Sequence, residues 1–539
     1  MAQNDVNLER WGRYAPDVNA AFLVECCRQD EERGFGSPLQ KKEELDRKFG
    51  HKNWVANPRF SIVQASGKIR PIDDGKRSGV NAASSFDERL SLCTALEPCV
   101  FARTLTEELG RAGCDIRKFP LQTGGEDLPD AFRHVPIIPE EHRFNIVAVQ
   151  LPDSGEWRFQ VLYGHLFGHA AAVINFNRLS RLLEAAGRRI LHLLTSMYYD
   201  DATVMDLANA KQSGQEAFCA LADAIGQPFA DKKRQHMADE NDFLGLSHLL
   251  GRAHREGHMT VQPRAKIVED IRGCAADALR DGALTPGEAS KLRGKLAFAA
   301  TGLYAMVGRA CMRPLVQREF SDKPPWTLSR TLRAALKYVL CMLQNLQPRV
   351  LYIRPSARRL VIVASDAQAD LATQPSAGAI AICPADRTMF LTFAHYTEQT
   401  LGAWYFDKQA REMGKNPIAI CECAAVLFSL VQMQHFLRGA DVIWFVDNTV
   451  ALHGLCKGSA GTSALRRTVE AVHILRSRYD VNIWHEYVRS NDNWSDGISR
   501  QGWSDPFACE LRRRFSTETA ELQQELWWYR CDLQQMWNA

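Results

Sequence analysis

Two adjacent carboxylates, Asp200 and Asp201, follow a pair of tyrosines and lie between two apolar runs. Such a pair between strand-like segments predicts the tight turn of a β-hairpin. Neighbouring carboxylates repel each other unless a cation lies between them, and Mg²⁺ bridged to substrate phosphates is the usual cation. The pair alone is a weak signal, because Asp-Asp in a turn is more often only solvated. A third carboxylate on an upstream strand would favour nucleotidyl transfer, in which two metals about 4 Å apart hold the attacking and leaving oxygens.

A third carboxylate is present in segment 126–137, which reads Glu-Asp-Leu-Pro-Asp-Ala-Phe-Arg-His-Val-Pro-Ile. This segment resembles the first palm motif of the reverse transcriptase family, Asp-x-x-Asp-Ala-aromatic-x-x-x-Pro. The resemblance implies that Asp127, Asp200 and Asp201 together bind two Mg²⁺ or Mn²⁺ ions. The alternative for the upstream segment alone is an ordinary amphipathic stretch. The downstream Asp-Asp turn makes that alternative much weaker.

The same resemblance implies roles for side chains around an incoming nucleotide. Asp130 would lie near the triphosphate. Phe132 falls where an aromatic ring closes against the sugar and would collide with a 2′-hydroxyl, so deoxynucleotides are the expected substrates. Lys68 and Arg70 lie in a segment similar to the fingers motif and would neutralise the triphosphate, as a lysine point charge and a forked arginine can. A charged surface hairpin is the alternative for these two cations.

Three further segments are similar to later palm motifs. Gly168 would let the backbone approach the template base and the new base pair. The family usually has Pro-Phe-Gly there, and Leu166 takes the place of the proline. Lys233 would protonate the leaving pyrophosphate, with a solvated surface lysine as the alternative, and residues 243–245 would form the primer-grip turn.

The second half of the chain carries four more acidic residues in a recognisable order. Asp366 ends an apolar strand, Glu422 lies in an apolar helix, Asp447 ends a second strand, and Asp496 begins a later helical segment. This order resembles ribonuclease H, whose four carboxylates hold two Mg²⁺ ions beside an RNA strand. The resemblance implies attack of metal-activated water on an RNA phosphodiester. His485 lies on an apparent strand rather than in the loop where many ribonucleases H have a histidine, so we predict a structural role for it.

The last acidic motif, Asn-x-x-Asp-x-x-Ser-Arg at 493–500, is similar to retrotransposons of the LTR and DIRS-like types. The resemblance as a whole implies an RNA-directed DNA polymerase that adds dNTPs to a primer 3′ end and whose ribonuclease H cleaves the RNA of RNA–DNA hybrids. Its partners would be an RNA template, a DNA primer, RNA–DNA hybrid and dNTPs. The alternative is an inactive, domesticated nucleic-acid-binding scaffold. Such scaffolds usually lose carboxylates, and all seven are present here.

Composition describes an ordinary soluble protein, with 24% charged and 46% hydrophobic residues. The net charge of +3 gives no argument for nucleic-acid binding, which must come from local basic regions. One such region, for which a solvated helix face is an equal alternative, comprises Lys291, Arg293, Lys295, Arg309, Arg313 and Arg318.

The chain has 15 cysteines, an odd number, without a Cys-x-x-Cys pair. This usage is typical of a reduced, intracellular protein, and we expect it in the cytoplasm or nucleus. The longest apolar stretch, 296–307, is too short to span a bilayer, and the N-terminus lacks the apolar core of a signal peptide. We therefore expect no membrane partner.

At 539 residues the chain should hold two or more domains. The expected fold class is a multidomain α/β and α+β protein, in which a right-hand polymerase precedes a ribonuclease-H-like α/β domain. Thr285-Pro286-Gly287-Glu288 predicts a helix start in the middle region. The expected domains are an N-terminal helical extension (1–58), fingers and palm (59–250), a helical thumb or connection (251–350), the ribonuclease-H-like domain (351–505) and a C-terminal helical tail (506–539).

Overall fold

The chain forms two compact units, Met1–Phe243 and Leu244–Ala539. The computed structural model describes residues 7–9, 11, 16–64, 67–303, 306–321, 323–324, 327–355, 358–369, 374–396 and 418–521. Both units combine helices with β-sheets, which confirms the expected mixed α/β, multidomain class. Within the described part of the chain, no helix combines the length and apolar character that crossing a bilayer requires.

The first unit combines helices with mostly antiparallel strands. Its helices are α1 (Ala20–Glu32), α2 (Lys42–Phe49), α3 (Val80–Ala83), α4 (Glu97–Arg111), α5 (Ala170–Arg189) and α6 (Ser213–Ala224). Its strands are β1 (Ala56–Val63), β2 (Ile69–Asp73), β3 (Leu121–Asp127), β4 (Ile146–Gln150), β5 (Trp157–Val161), β6 (Leu194–Tyr198), β7 (Asp201–Leu207), β8 (Gln235–Ala238) and β9 (Glu240–Phe243).

Two four-stranded sheets organise this unit, with strand orders β2-β1-β4-β5 and β6-β7-β3-β8. The first four residues of strand β4 are apolar because both of its faces are covered. Ile146 and Ala148 face one core with Trp54 and Phe159, while the alternate residues Val147 and Val149 lie in a second core under α1. In the other sheet, β6 and β7 pack on α5 and α6. This packing fixes the sheet edge at which β3, β6 and β7 meet.

The second unit begins with a helical region and continues into a large sheet. Its helices are α7 (Ala253–Glu256), α8 (Ala265–Asp281), α9 (Pro286–Thr301), α10 (Met312–Glu319), α11 (Arg330–Gln344), α12 (Ile418–Gln432), α13 (Gln434–Leu437), α14 (Thr449–Lys457), α15 (Ser463–Arg478), α16 (Asp496–Gln501) and α17 (Pro506–Arg514). Its strands are β10 (Leu246–Leu249), β11 (His258–Pro263), β12 (Arg349–Tyr352), β13 (Leu360–Gln368), β14 (Ser376–Cys383), β15 (Thr388–His395), β16 (Asp441–Val446), β17 (Asn482–Tyr487) and β18 (Ser516–Glu521).

The large sheet has the order β17-β16-β13-β14-β15-β18. Strand β13 pairs in parallel with β16 and antiparallel with β14. Helices cover both faces of β14: its alternate residues Ala379 and Ala381 lie in the main core, and Ile380 and Ile382 lie in a second core under α16 and α17. The main core also includes residues of α8 to α11, so the helical region and the sheet share one interior. Thr285 caps α9 in the capping box that the sequence predicts.

The segment expected as a helical tail, 506–539, differs from that expectation in its described part. It begins with α17, but residues 516–521 then form β18, which pairs in parallel with β15. The open edge of β15 offers unpaired backbone groups, and the threonines of this segment suit a strand better than a helix. Residues 522–539 lie outside the described residues, as do 1–6, 10 and 12–15 of the expected N-terminal extension.

A buried charge network ties the segments of the first unit together. The Arg59 guanidinium donates to both Asp73 oxygens at 2.7 and 3.3 Å and to Asp30 at 3.3 Å. Arg133 donates to Asp73 at 3.2 Å and to the His165 carbonyl at 2.8 Å. Burial raises the pKa of Asp73, but the two arginines outweigh it and lower that pKa to about 2. The network therefore depends on an ionised Asp73.

We predict that Asp73→Asn lowers the free energy of unfolding of the first unit by about 3–5 kcal/mol, because it removes the main counter-charge of the buried Arg59 and leaves Asp30 alone to pair with Arg59 and Arg133. The Asp73 pKa is depressed below its ordinary value of 3.8, so its stabilisation is complete above that pH and is lost as the pH falls towards 2. Urea titrations across this window should show a steep pH dependence in the wild type and a shallower one in the variant.

Glu88→Gln is the control for this prediction, because Glu88 forms an exposed ion pair with Arg178. It should change the urea midpoint little. An Asp73→Asn midpoint equal to that of the control would contradict the prediction.

Candidate active sites

The Asp-Asp pair lies at the turn of a β-hairpin, as its sequence predicts. Strands β6 and β7 pair antiparallel, with Tyr198 opposite Asp201, so Tyr199 and Asp200 form the turn. Tyr199 has a φ of 53°, in the left-handed region that a tight turn requires. The turn therefore fixes Asp200 just outside the ladder and Asp201 at its first pair.

The register of β3 brings the upstream carboxylate to the same place. Asp127 lies directly opposite Asp201 in the β3–β7 ladder, and the Leu128 amide donates to the Asp200 carbonyl at 2.9 Å. Residues directly opposite each other in an antiparallel pair project from the same face of the sheet. The two carboxylates that are 74 positions apart in the chain are thus neighbours across two strands.

Two predicted cations lie close to these carboxylates. Lys233 donates to Asp127 at 2.6 Å. Burial, and then the charge of Asp127, raise the pKa of Asp200, while the charges of Lys233 and Arg70 oppose that rise. The structure therefore brings together Asp127, Asp200, Asp201, Lys233 and Arg70.

The aromatic residue expected at the sugar lies in a small aromatic cluster. The ring centroid of Phe132 lies 5.2 Å from those of Phe167 and Phe176. Phe132 is half-buried, whereas Phe167 is exposed. Asp130, expected near the triphosphate, has a left-handed backbone and accepts from Arg33 at 2.5 Å.

Gly168 has a role that the sequence does not reveal. A Cβ atom there would lie 1.5 Å from the Asp73 carbonyl oxygen, so only glycine fits against this strand. The Asn81 side chain also donates to the Gly168 carbonyl, at 3.0 Å. Lys68 and Arg70 are exposed on the β1–β2 hairpin, which ends at Asp73. The packing of Gly168 thus fixes the hairpin that carries both cations.

The expected primer-grip turn, residues 243–245, is a tight turn. Leu244 and Gly245 both have positive φ angles, 48° and 81°. Such consecutive left-handed residues are typical of a two-residue hairpin loop. A contact with a primer stays a prediction.

The second acidic group lies where parallel strands end. Asp366 is near the end of β13, Asp447 follows β16, and Glu422 lies on α12 above them. One oxygen from each lies within 4.8 Å of the other two. The first acidic group differs in this respect. Within the described residues, only the second group has three ligand oxygens this close to one another.

Burial and mutual repulsion destabilise the ionised forms of the carboxyl groups in this second group. Burial, and the charges of Asp447 and Asp496, raise the pKa of Asp366 to about 6, against a lowering hydrogen bond from Ser499. Burial, and then the charges of Asp366, Asp447 and Asp496, raise the pKa of Glu422 well above its usual range. One Glu422 carboxylate oxygen, Oε2, is buried and has no hydrogen-bond partner among the described residues. Carboxylate oxygens held in this way fit a hard divalent cation such as Mg²⁺ or Mn²⁺.

Helix α16 and the residues just before it complete the second group with side chains whose roles the sequence does not identify. The Ser499 hydroxyl donates to one Asp366 oxygen, and the Asn493 amide lies 3.5 Å from the other. Arg500 contacts Asp496 through two nitrogens at 2.7 and 2.9 Å. These residues lie in the motif at 493–500, where the pattern Asn-x-x-Asp-x-x-Ser-Arg was the available signal. They hold Asp496 beside Asp366.

His485 is buried on β17, and burial lowers its pKa well below the usual range. Neither ring nitrogen has a hydrogen-bond partner within the described residues. A neutral, enclosed imidazole agrees with the structural role expected from the sequence.

Comparisons with known proteins give no family assignment. No protein-family model matches the chain, and no curated protein matches it. The solved structures that the chain resembles include two of foamy viral protease–reverse transcriptases in complex with double-stranded DNA. One is 13% identical, with a TM-score of 0.42 over 86% of this chain and 68% of that chain. The other is 14% identical, with a TM-score of 0.44 over 88% of this chain and 84% of that chain.

We predict that Asp447→Asn raises the melting temperature of the second unit without added metal, because it removes a negative charge beside Asp366 and Glu422. A relief of about 1 kcal/mol corresponds to a shift of about 2–4 °C. Adding Mn²⁺ should stabilise the wild type and have much less effect on the variant. Thermal unfolding with and without Mn²⁺ measures both effects.

Asp492→Asn is the matched control, because Asp492 is an exposed acid in the loop before α16. It should leave both the melting temperature and the Mn²⁺ response unchanged. Equal Mn²⁺ stabilisation of Asp447→Asn and the wild type would show that this group does not bind the ion.

Proposed function

We propose that the protein is an RNA-directed DNA polymerase of a retroelement, of LTR or DIRS-like type, with an associated ribonuclease H. The observation that carries the polymerase assignment is the β3–β7 register, with Asp127 opposite Asp201 and Asp200 in the adjoining turn. We assign the fingers and palm to 59–250, the thumb or connection to 251–350 and the ribonuclease-H-like domain to 351–505. RNA template, DNA primer, RNA–DNA hybrid and dNTPs are the proposed partners.

Each residue of the first group has a definite task in this proposal. Asp127, Asp200 and Asp201 would hold the divalent ions. The strands place their backbones side by side, and side-chain rotation would bring their oxygens together. Bound ions would supply the charge that activates the attacking oxygen and stabilises the leaving oxygen. Lys233, now paired with Asp127, would shift to the pyrophosphate and donate a proton to it. Arg70 would bind the triphosphate that enters beside Asp200.

The nucleotide pocket is completed by residues on three other segments. Lys68 adds charge on the hairpin that carries Arg70. Asp130 is the N-cap residue of the 3-10 helix Ala131–His134, which carries Phe132. Phe132 is held on one side by Phe176, so its ring cannot easily yield to a 2′-hydroxyl. Gly168 lets the loop that precedes α5 lie against this pocket.

The second group suits cleavage of the RNA strand of a hybrid. Asp366, Glu422 and Asp447 would hold divalent ions, since their oxygens already converge. Asp496 lies beside them on α16, and its negative charge contributes to the raised pKa of Asp366. The absence of a histidine on the loop at 488–492 leaves water and these carboxylates to carry protons.

We predict that the two activities are lost separately. Asp200→Asn should lower primer extension on poly(rA)/oligo(dT) with Mg²⁺ by at least about 100-fold and should leave hybrid cleavage intact. Asp366→Asn should do the reverse. Each variant is thus the folding control for the other, and primer extension followed by gel analysis of labelled RNA measures both.

Primer extension by Asp200→Asn at the wild-type rate would defeat the polymerase assignment. A wild type that binds hybrid without either reaction would instead support the inactive scaffold.

A second prediction concerns the choice of sugar. Phe132→Val should raise ribonucleotide incorporation relative to deoxynucleotides by on the order of 100-fold, because it removes the ring that meets the 2′-hydroxyl. Phe132→Tyr keeps the ring and is the matched control. Single-nucleotide incorporation kinetics would measure the ratio, and equal ratios in the two variants would exclude Phe132 as the discriminating residue.

A further inference from the structure

A buried polar cluster lies behind the first acidic group, on the opposite face of β3. Its centre is Glu126, whose side chain is fully enclosed. One carboxylate oxygen, Oε1, accepts from the Gln215 amide at 2.8 Å, from the Arg234 Nε at 2.9 Å and from the Cys219 thiol at 3.3 Å. The Arg234 guanidinium also donates to the Cys219 sulfur at 3.3 Å. Side chains of β3, of α6 and of the segment before β8 therefore meet at one carboxylate.

Two glycines of β3 make room for this cluster. A Cβ atom at Gly124 would lie 2.9 Å from the Gln215 amide nitrogen, and one at Gly125 would lie 2.8 Å from the Gln235 amide nitrogen. Gln215 also donates to the Gln235 carbonyl at 2.9 Å. The missing side chains of the strand thus allow amide groups of α6 and β8 to lie directly against it.

The cluster fixes the segment that carries Lys233. Before the lysine, the Ala230 amide donates to the Asp127 carbonyl at 2.9 Å. After the lysine, Arg234 binds Glu126. A single 3-10 turn lies between these two attachments. Lys233 is therefore held between two bonds to adjacent residues of one strand, although its own side chain is 61% exposed.

This fixation matters because the lysine side chain is long and exposed. An exposed ion pair contributes little free energy against the rotamer entropy that a lysine loses when it is held in one geometry. The contact of Lys233 with Asp127, at 2.6 Å, therefore depends on a backbone that is already in place. The buried cluster supplies that placement from the other face of the strand.

We propose that Glu126 is a positioning residue for nucleotidyl transfer, which acts through Arg234 to hold Lys233 within reach of the leaving pyrophosphate. The proposal rests on the polymerase function proposed above. As the bond between the α-phosphorus and the bridging oxygen breaks, the Lys233 ammonium gives one proton to that oxygen. The neutral amine that remains takes a proton back from water. Glu126 touches no reacting atom, but misplacement of a donor by about 1 Å can cost on the order of 100-fold in rate.

The first test measures the placement of Lys233 without any polymerase reaction. The protein is acetylated at one pH, and tandem mass spectrometry gives the rate at Lys233 relative to its exposed neighbour Lys232. Glu126→Gln should raise this ratio about 2- to 5-fold, which is the protection that an ion pair of ordinary strength gives its amine. Arg234→Lys should also raise it, because a lysine lacks the fork that binds the carboxylate and the thiol together.

Glu184→Gln is the matched control. Glu184 is a buried carboxylate of the same unit, paired with Arg181 at 2.9 Å and with Arg188 at 3.0 Å. Its other hydrogen-bond donors lie on β6. The control removes a similar interior charge away from the segment of Lys233, so the acetylation ratio should keep its wild-type value. A ratio in Glu126→Gln equal to that of the control would overturn the proposal.

The second test asks whether Glu126 acts through Lys233. Single-nucleotide incorporation is measured for Glu126→Gln, for Lys233→Met and for the double variant. Glu126→Gln should lower the maximal rate on the order of 10- to 100-fold and change the dNTP concentration at half-maximal rate by less than about 3-fold. In the Lys233→Met background the same substitution should have almost no further effect, because the donor that it positions is gone.

Rate losses that multiply in the double variant would contradict the proposal, because a purely structural role does not depend on the lysine. A wild type that extends no primer would refute the polymerase function instead. The acetylation ratio would then still decide whether Glu126 positions Lys233.

Discussion

Repulsion between carboxylates is the physical constraint on which both acidic groups depend. In the first unit the β3–β7 ladder holds Asp127 against Asp201, and Lys233 supplies a compensating charge at 2.6 Å. In the second unit the raised pKa values of Asp366 and Glu422 favour their protonated forms, which relieves part of the repulsion, and the Ser499 hydroxyl donates to Asp366. Each arrangement is stable only because the surrounding fold offsets the repulsion.

Strand alternation links the first group to the core beneath it. Glu126, next to Asp127, points to the opposite face and is buried. It accepts from Gln215 at 2.8 Å and from Arg234 at 2.9 Å. Arg234 adjoins Lys233, so the ion pair in the core anchors the segment whose lysine reaches the acidic turn. Strand β3 therefore carries Asp127 on one face. Through Glu126 on its other face, it anchors the segment whose Lys233 neutralises Asp127.

The sequence alone predicted the features that depend on a few neighbouring residues. Adjacent carboxylates between apolar runs predicted the hairpin turn, and Thr285 with Glu288 predicted the cap of α9. The register that sets Asp127 opposite Asp201 could not be derived from the residues, because it depends on how two distant strands pair; only the family resemblance implied it. Residues 506–539 were predicted as a helical tail. Residues 516–521 instead form a strand because they pair with the free edge of β15, and the sequence of the tail does not show that this edge is available.

The partners of the charged side chains could not be predicted from the sequence either. The basic region between Lys291 and Arg318 has six cations that the sequence does not distinguish. In the structure Glu319 and Asp270 neutralise two of them from other helices, and packing buries a third. The Arg59–Asp73 pair gave no signal either, because an arginine in a strand is ordinarily exposed. Polar partners brought together by packing cannot be read from spacing alone.

The buried network around Asp73 explains how exposed residues of the proposed nucleotide pocket can keep their relative positions. Asp73 follows Arg70 by three residues on β2, and Arg133 adjoins Phe132. The Asp73 side chain binds Arg133, while its carbonyl contacts the loop at Gly168. Three separate segments are therefore joined at one fully enclosed ion pair. Their side chains are free to adjust to a substrate because their backbones are fixed from behind.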